Sequence, residues 1–244
     1  MKRLLTLVCL WIALLGLTGC IRYDVGINYA SQTRGEIVQH IRLGEQLSAF
    51  DGGNARAWLS SLEQRAKQLG GRVRRLSPTE LRVTIPFNNG KELEQKFNQF
   101  FSAPASSEDA VSEVTPTLPN ISSRLSLQES NLLLVQRDRL VYDLDLRSLA
   151  VLTTEGAVLV SPGALLDLEF SLTTPWGATI APDSLQPQTV WRNHLTWRMA
   201  SGQVNHLDII FWMPSPLGIG ALIIAGFVAL GMGLKAQLSR PMPG

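Results

Sequence analysis

Cysteine is nearly missing from this sequence, which has two in 244 residues, Cys9 and Cys20. Cys9 lies inside an apolar N-terminal segment, and no cysteine follows Cys20. A domain formed by the rest of the chain therefore has no disulfide and no thiol nucleophile, so its fold depends on packing alone. This scarcity excludes a disulfide-rich scaffold, thiol redox chemistry and a cysteine-dependent enzyme.

Charge is also sparse, and the sequence lacks a basic stripe. Charged residues make up 17% of the chain, with 22 Lys and Arg against 20 Asp and Glu. Four of the basic residues lie near the termini, at positions 2, 3, 235 and 240, so the part between them is slightly acidic. This balance, without a basic stripe, excludes a nucleic-acid-binding surface.

The first nineteen residues have the pattern of an export signal. Two basic residues precede an uncharged apolar segment at 4–17, which is typical of a signal peptide. Residues 17–20 read Leu-Thr-Gly-Cys, which resembles a bacterial lipobox, where the cysteine thiol is acylated and the chain is cut before it. We therefore expect a lipoprotein signal peptide at 1–19 and lipidation of Cys20. The alternatives are an ordinary signal peptide with a chance cysteine and an uncleaved anchor.

The C-terminal part has the pattern of a membrane-spanning helix. No residue from 209 to 234 is charged, and at about 1.5 Å per residue this stretch is long enough to cross a bilayer. Lys235 and Arg240 follow it and place the tail 235–244 in the cytoplasm by the positive-inside rule. We predict a transmembrane helix at 214–234. The preceding domain then lies on the extracytoplasmic side, periplasmic or lumenal, of a plasma or thylakoid membrane.

Small residues recur every four positions within this predicted helix, at Ala225, Ala229 and Gly233. Small residues at this spacing let two membrane helices approach closely. They are therefore a candidate packing surface for a membrane-protein partner, although small residues are also common in membrane helices generally.

Between the two ends, residues 20–213 predict one extracytoplasmic α+β domain. Alternating apolar and polar residues predict strands, and helical spacing predicts two helices, one after Asn54 and one from Lys91. Residues 102–120 are rich in Pro, Ser, Thr and acidic residues, which predicts a disordered loop. The remainder is all strand. We expect an antiparallel sheet with two helices packed on one face, followed by the single transmembrane helix.

The polar residues offer no catalytic or metal-binding arrangement. The candidates are three histidines and two carboxylate pairs: His40, His194, His206, Asp143 with Asp145, and Asp167 with Glu169. No two histidines have metal-ligand spacing, and carboxylates on the polar face of a strand need no acid–base role. A nucleophile elbow and a Gly-rich phosphate loop are both missing. The sequence predicts a non-enzymatic protein without a metal or a cofactor.

The order of these features along the whole chain resembles a known group of proteins. A lipobox, a Tyr-rich first hairpin, a long helix, an acidic loop, a late Trp-containing strand and a C-terminal span follow one another. This layout is similar to that of uncharacterised lipoproteins of cyanobacteria and plastids that carry a domain of unknown function, and to the mycobacterial LppM lipoproteins. The resemblance implies an α/β fold that encloses a hydrophobic cavity and binds lipid, but it implies no ligand-contacting residues.

Two functions remain open on the sequence. One is a domain that binds a lipid, a pigment or another apolar molecule at the membrane surface. The other is a factor that assembles or stabilises a membrane complex, such as a photosynthetic one, through its helix and exported face. An internal apolar cavity would indicate the first function and an exposed apolar patch the second. Four tryptophans could line a pocket or fill a core: Trp58, Trp176, Trp191 and Trp197.

Both predicted anchors adjoin the domain closely. The first predicted strand begins just behind Cys20, and the last one reaches Met213, immediately before the predicted membrane helix. Pro214 and Pro216 stiffen this second connection, which leaves it little reach. We therefore expect both anchors to hold the same region of the sheet against the bilayer.

Overall fold

The computed structural model describes residues 21–101, 122–149 and 166–238. Cys20 with the predicted signal peptide, the predicted disordered loop 102–120 and the last residues of the tail lie outside the described residues. The described helices are α1 (Glu45–Gln68), α2 (Gly90–Phe101) and α3 (Pro216–Leu238), with a short 3-10 helix at Arg147–Leu149. The described strands are β1 (Ile21–Ser31), β2 (Arg34–Leu43), β3 (Arg72–Ser77), β4 (Glu80–Phe87), β5 (Ser122–Asn131), β6 (Val135–Asp145), β7 (Leu166–Thr173), β8 (Ala178–Ile180), β9 (Thr189–Trp191), β10 (His194–Arg198) and β11 (Val204–Pro214).

The larger sheet has seven strands in the order β3-β4-β2-β1-β7-β10-β9. Its central strand β1 alternates apolar and polar residues, so Tyr23, Val25, Ile27 and Tyr29 are all buried on one face. β1 pairs antiparallel with β2 and parallel with β7. The sheet thus has one apolar face, which is covered, and one polar face, which we call the open face.

The smaller sheet has four strands in the order β5-β6-β11-β8 and is antiparallel throughout. Its apolar face lies against that of the larger sheet, and aromatic rings fill the space between them. The ring centroids of Tyr142 and Phe170 are 5.0 Å apart, as are those of Tyr29 and Phe211. Each pair joins one sheet to the other, so the core of the domain is a two-sheet sandwich.

The first two helices cover the part of the larger sheet that the smaller sheet leaves free. α1 packs on β2, β3 and β4, and its buried face includes Leu59, Leu62 and Ala66. α2 packs on β4 and β5. The Asn98 side chain of α2 donates a hydrogen bond to the Leu125 carbonyl (2.7 Å) and accepts one from the Leu125 N–H (2.8 Å). α2 therefore also satisfies the backbone of the edge strand β5.

The predicted α+β class, with helices on one face of a sheet and an apolar C-terminal helix, is confirmed. The structure differs in having two sheets instead of one, and in the parallel pair of β1 and β7. Alternation within a strand shows which face is buried, but the partner that buries it is not encoded locally. α1 also begins earlier than the sequence pattern indicates, at Glu45, because the helix continues through Gly52 and Gly53.

β1 and β11 run in the same direction, although they belong to different sheets. Tyr142 on β6 stacks on Phe170 on β7. Leu207 on β11 pairs with Tyr142, and Val25 on β1 pairs with Phe170, so Leu207 and Val25 lie at the same height in the sandwich. Four residues further along each strand, Phe211 contacts Tyr29. The starts of both strands therefore lie at one end of the sandwich and their ends at the other.

This direction corrects the expectation that both anchors hold one region of the sheet. Ile21 begins β1, whereas Pro214 ends β11 and leads directly into α3. β1 has 11 residues, so at about 3.3 Å per residue the two positions are separated by about 30 Å along the strands. We call the end from which α3 leaves the α3 end and the opposite one the far end. The expectation failed because closeness along the chain says nothing about strand direction.

Candidate functional site

α3 is long and apolar enough to cross a membrane, and it is the one helix in the described part of the chain that is so. The stretch Pro216–Lys235 has 20 residues and a mean hydropathy of 2.3, and almost none of it is buried. Ser215 alone separates the helix from β11. Its side-chain oxygen accepts a hydrogen bond from the Gly218 N–H at 3.3 Å, as an N-cap does. Pro216 then occupies the first helical position, where proline is favoured.

The turn between β5 and β6 is packed against the base of α3. The Ser215 N–H donates a hydrogen bond to the Leu134 carbonyl at 2.9 Å. A Cβ atom placed on Gly218 would lie 1.6 Å from the Leu133 carbonyl oxygen, so only glycine permits this approach. Leu132, Leu133 and Leu134 are nevertheless 56%, 67% and 37% exposed. The turn therefore presents three leucines to the surroundings beside the first turn of α3.

Three tryptophans surround the same end of the sandwich. Trp212 lies two residues before the end of β11, on its outer face, and is 38% exposed. Trp176 precedes β8, whose Ala178 pairs with Phe211, and Trp191 ends the short strand β9. These last two side chains are 60% and 66% exposed. With the leucines they form what we call the apolar rim: Leu132, Leu133, Leu134, Trp176, Trp191 and Trp212.

Arginines accompany the apolar rim. Arg192 follows Trp191, and its guanidinium carbon lies 5.3 Å from the centre of the Trp191 ring, a cation–π contact. Arg34 is exposed at the start of β2, and Arg137 is paired with Trp212 across β6 and β11. Exposed leucine, tryptophan and arginine at one end of a domain are the composition of a membrane interface.

A polar cluster lies beneath the rim, with Gln136 and Asp138 buried between the two sheets and Glu129 exposed at the edge strand. The Gln136 side chain donates hydrogen bonds to Asp138 Oδ1 (2.8 Å) and Glu129 Oε1 (3.1 Å), and it accepts one from Gln32. Glu129 Oε1 also accepts a hydrogen bond from the Gly90 N–H at the start of α2, at 3.0 Å. The cluster thus ties β5, β6, α2 and the β1–β2 turn together at the α3 end.

Two buried oxygen atoms of this region have no hydrogen-bond partner among the described residues: Asp138 Oδ2 and Tyr29 Oη. Asp138 is fully buried, and this burial raises the pKa of its carboxyl group to about 6. Burial raises the pKa of Tyr29 as well, with smaller contributions from Asp138 and Glu129. Asp138 is therefore a carboxyl group whose neutral form the fold favours.

The predicted polar residues lie on outer sheet faces, each beside a partner. His40 Nε2 is 2.6 Å from Glu80 Oε1, His206 Nδ1 is 2.6 Å from Asp143 Oδ1, and His194 Nδ1 is 2.8 Å from Thr173 Oγ1. The carboxylates form ion pairs with arginines: Asp145 with Arg147, Asp167 with Arg22 and Arg198, and Glu169 with Arg22. Among the described residues, no group of three or more His, Cys, Asp or Glu could hold a metal ion.

The four predicted tryptophans fall into two groups. Trp197 is fully buried in the core, where its Nε1–H donates to the Leu185 carbonyl at 2.9 Å, and Trp58 is partly buried against the same core. Trp176 and Trp191 lie neither in a pocket nor in the core, because turns at the α3 end carry them outward. Aromatic side chains do not reveal from sequence which side of a short strand or turn they will occupy.

A groove of about 480 Å³ opens between α2 and β5. Most of its lining residues are of polar type, and they include Glu94, Asn98 and Glu129, whose side chains already bond the backbone of β5 or α2. Aromatic rings such as Tyr142 and Phe170 pack between the sheets. The hydrophobic cavity that the family resemblance implies stays a prediction.

The small residues predicted as a helix-packing surface lie on α3. A Cβ atom on Gly233 would meet nothing within 4 Å, so this part of the helix surface is open in the described chain. Packing of Ala225, Ala229 and Gly233 against a partner helix stays a prediction, as does lipidation of Cys20.

The sequence interpretation missed the β5–β6 turn, Arg192 and Asp138. A signal was present for the turn, because Leu132, Leu133 and Leu134 stand where Gly, Asn or Asp are usual. Asp138 gave no such signal, since an aspartate in an alternating strand is expected on the solvent side.

The structure is therefore a two-sheet α+β domain whose last strand continues directly into an apolar helix. The chain belongs to the family described as a protein of unknown function (DUF3153), which matches residues 25–240. The resemblance to such a family, inferred from the sequence, is therefore confirmed. Among solved structures, the NMR structure of the folded domain of LppM from Mycobacterium tuberculosis is similar, with a TM-score of 0.46 and 13% identity over 81% of this chain and 92% of that chain. A comparison with curated proteins found no match.

Proposed function

We propose that this protein is a non-enzymatic, membrane-anchored lipoprotein whose extracytoplasmic domain binds lipid at the membrane surface. The apolar rim carries this proposal. Its leucines and tryptophans are exposed at the α3 end, where a membrane-spanning α3 would bring the bilayer against them. Burying such side chains in the interface is favourable by roughly 25 cal/mol per Å² of apolar area. The lipid contact is thus a surface at the end of the sandwich instead of an enclosed cavity.

The short connection into α3 supports a fixed position of the domain on the membrane surface. Ser215 is the only residue between β11 and α3, and its hydrogen bonds join the β5–β6 turn to the helix. A helix held this way cannot swing freely, so the rim stays level with the start of the membrane span. Lys235, near the other end of the helix, and Arg240, which follows the helix in the sequence, favour the cytoplasmic side, which leaves the domain outside.

The test uses the full chain in phosphatidylcholine nanodiscs whose acyl chains carry bromine, which quenches tryptophan fluorescence on contact. We expect quenching in the wild type and its loss when Trp176, Trp191 and Trp212 are all replaced by phenylalanine. The matched control is Trp58→Phe, which removes a tryptophan next to α1 and should leave the quenching unchanged. Absence of quenching in the wild type would contradict the proposal.

The two anchors are separable in this arrangement. Lipidation of Cys20 would attach an acyl group next to Ile21, at the far end, about 30 Å from the rim along the strands. The acyl group and the rim would therefore reach one bilayer together only if the strands lay along its surface. Mass spectrometry of the mature protein tests for the acyl group itself. We expect Cys20→Ser to remove that mass and to leave bromine quenching of the rim tryptophans intact, because α3 alone anchors stably.

A second candidate function is assembly or stabilisation of a membrane complex. The observation that favours it is the open face, where ion pairs such as Arg22–Asp24 (3.1 Å) and Arg198–Asp167 (3.1 Å) stay partly exposed and no described element covers them. The uncovered surface of α3 adds a second contact for a membrane-protein partner. Cross-linking from the open face in native membranes would distinguish the two, since a lipid-binding function predicts no recurring protein product there.

A further inference from the structure

Two turns at the α3 end have unusual backbone geometry. Leu133 and Arg192 have φ angles of 66° and 55°, and they are the non-glycine residues of the described chain with positive φ. Side chains are crowded in this conformation, so glycine or asparagine usually fills it. Gly202 does so at the far end, with φ of 80°. A leucine and an arginine thus occupy turn positions that backbone geometry alone would give to glycine.

Two exposed arginines lie at the α3 end on separate strands of the larger sheet. Arg192 lies over the Trp191 ring after β9, and Arg34 begins β2, on the other side of β1, β7 and β10. Neither forms an ion pair with a described carboxylate. Three acidic groups also lie at this end. Glu36, two residues after Arg34, accepts a hydrogen bond from Asn28 at 3.5 Å; Glu129 is exposed but bonds Gln136 and the start of α2; and Asp138 is buried.

Arg137 joins this basic set at the base of the rim. It is paired with Trp212 and is half-buried. Arg137 acts electrostatically on Asp208, which already has a two-point ion pair with Arg139, at 2.6 and 2.9 Å. That hydrogen bonding is the main reason why the pKa of Asp208 is lowered, and Arg137 contributes little to the shift. The positive charge of Arg137 therefore remains available to an outside anion.

We propose that Arg34, Arg137 and Arg192 bind the phosphate groups of anionic lipids when the apolar rim is seated in the bilayer. This inference rests on the proposed function and specifies which lipids the surface selects. Guanidinium groups bond phosphate oxygens through two N–H groups at once, and they are attracted to a negatively charged leaflet. α3 holds the three side chains at headgroup depth, so the lipid surface is the anion that they meet.

The experiment compares two brominated lipids at equal mole fraction around the full chain in nanodiscs: phosphatidylglycerol, which is anionic, and phosphatidylcholine, which is zwitterionic. Stronger quenching of tryptophan by brominated phosphatidylglycerol measures its enrichment next to the protein. We expect enrichment of at least about fivefold, because each basic group near an anionic lipid surface contributes about 1 kcal/mol of attraction. The comparison needs no variant, so it does not depend on how a substituted chain folds.

Two matched variants then locate the selectivity. The rim variant replaces Arg34, Arg137 and Arg192 with glutamine, and we expect its enrichment to fall to about one while quenching by phosphatidylcholine persists. The control variant replaces Arg72, Arg74 and Arg82, exposed arginines of β3 and β4, and removes the same net charge. It should keep the enrichment.

The outcomes separate this inference from the proposed function. Equal quenching by the two lipids in the wild type would overturn the inference and leave lipid seating intact, assigning the arginines to another partner such as an acidic protein. Loss of enrichment in both variants would also overturn it, because the net charge of the domain, and not the position of the arginines, would then explain the selectivity for anionic lipid. Quenching by neither lipid would remove the proposed function and the inference together.

Discussion

Turns at both ends of the sandwich contain residues with a positive φ angle, but the residue types differ. At the far end, the turn before Val204 contains Gly202 in the left-handed conformation, and the Asn205 side chain bonds both backbone groups of Ala200 at 2.8 and 2.9 Å. At the α3 end, equivalent turns contain Leu133 and Arg192. The far end follows the chemistry that a turn in water favours. The α3 end follows it at Gly177, with φ of 81°, and departs from it at Leu133 and Arg192.

Strand β6 shows a second difference, in the pKa values of two of its aspartates. Asp145 ends β6 at the far end, where hydrogen bonds from Arg147 lower the pKa of its carboxyl group to about 2. Asp138, seven positions earlier on β6, lies at the α3 end, where burial raises its pKa to about 6. Asp145 lies on the solvent side of β6 and Asp138 lies between the two sheets, so the two pKa shifts have opposite signs.

Substitution of Gly218 should give the largest loss of stability at the α3 end. In Gly218→Ala the new Cβ atom would overlap the Leu133 carbonyl, 1.6 Å away, so the turn must separate from the helix. We expect a loss of about 3 kcal/mol in the free energy of unfolding, typical of backbone overpacking. The measurement is thermal unfolding of the full chain in detergent.

Gly220→Ala is the control, since a Cβ atom there meets nothing within 4 Å. Alanine in an exposed helix is favoured over glycine by about 1 kcal/mol, so this variant should unfold at the same temperature or higher. Equal destabilisation of the two variants would show that the contact between the turn and α3 contributes nothing.

Asp138→Asn should stabilise the domain at neutral pH. The folded-state pKa of about 6 lies above the ordinary value of roughly 3.9 for an unfolded aspartate, so the stability linked to Asp138 is complete below about pH 4 and is lost as pH rises through 6. Asparagine cannot ionise, and we expect a gain of about 2 kcal/mol at pH 7.5, or roughly 4–8 °C in melting temperature. At pH 4 the variant should match the wild type.

Asp145→Asn is the counterpart at the far end and has the opposite sign. Its lowered folded-state pKa contributes stability above the unfolded pKa, which is lost as pH falls toward 2. We expect this variant to be slightly less stable than the wild type at pH 7.5, because Asp145 is exposed to solvent screening. A gain for Asp145→Asn, or no pH dependence for Asp138→Asn, would contradict the contrast between the two aspartates.

Exchanging the turn residues should give the smallest effect. Leu133→Gly relieves a strained φ angle, and after the entropy cost of glycine we expect a gain of about 0.5–1 kcal/mol. Gly202→Leu introduces the same strain at the far end and should cost about 1 kcal/mol. Melting temperatures of both variants give the comparison. The first variant should lose part of its bromine quenching by lipid despite being more stable, and a gain in both properties would contradict a membrane role for Leu133.

The sequence predicted strands and helices well because each has a periodicity of its own. Tyr23 to Tyr29 alternate, and Leu59, Leu62 and Ala66 recur at helical spacing, so the buried face of each element follows from local order. The pairing of β1 with β7 did not follow, since it joins residues such as Ile21 and Leu166, 145 positions apart along the chain. The stacking of a second sheet did not follow either, because a strand does not encode which sheet covers it. The α3 end was missed for the same reason, because its turns come from four separate parts of the chain.

The direction of β1 has a mechanical consequence. A chain lipidated at Cys20 and held by α3 is attached at Ile21 and at Pro214, which lie at opposite ends of parallel-running strands. Tension between these points acts along the axis of β1, which is hydrogen-bonded on both sides, to β2 and β7. Such a load shears the strand, and many hydrogen bonds must fail together instead of opening one after another. The central strand is then the part of the domain best placed to carry force between its two attachments.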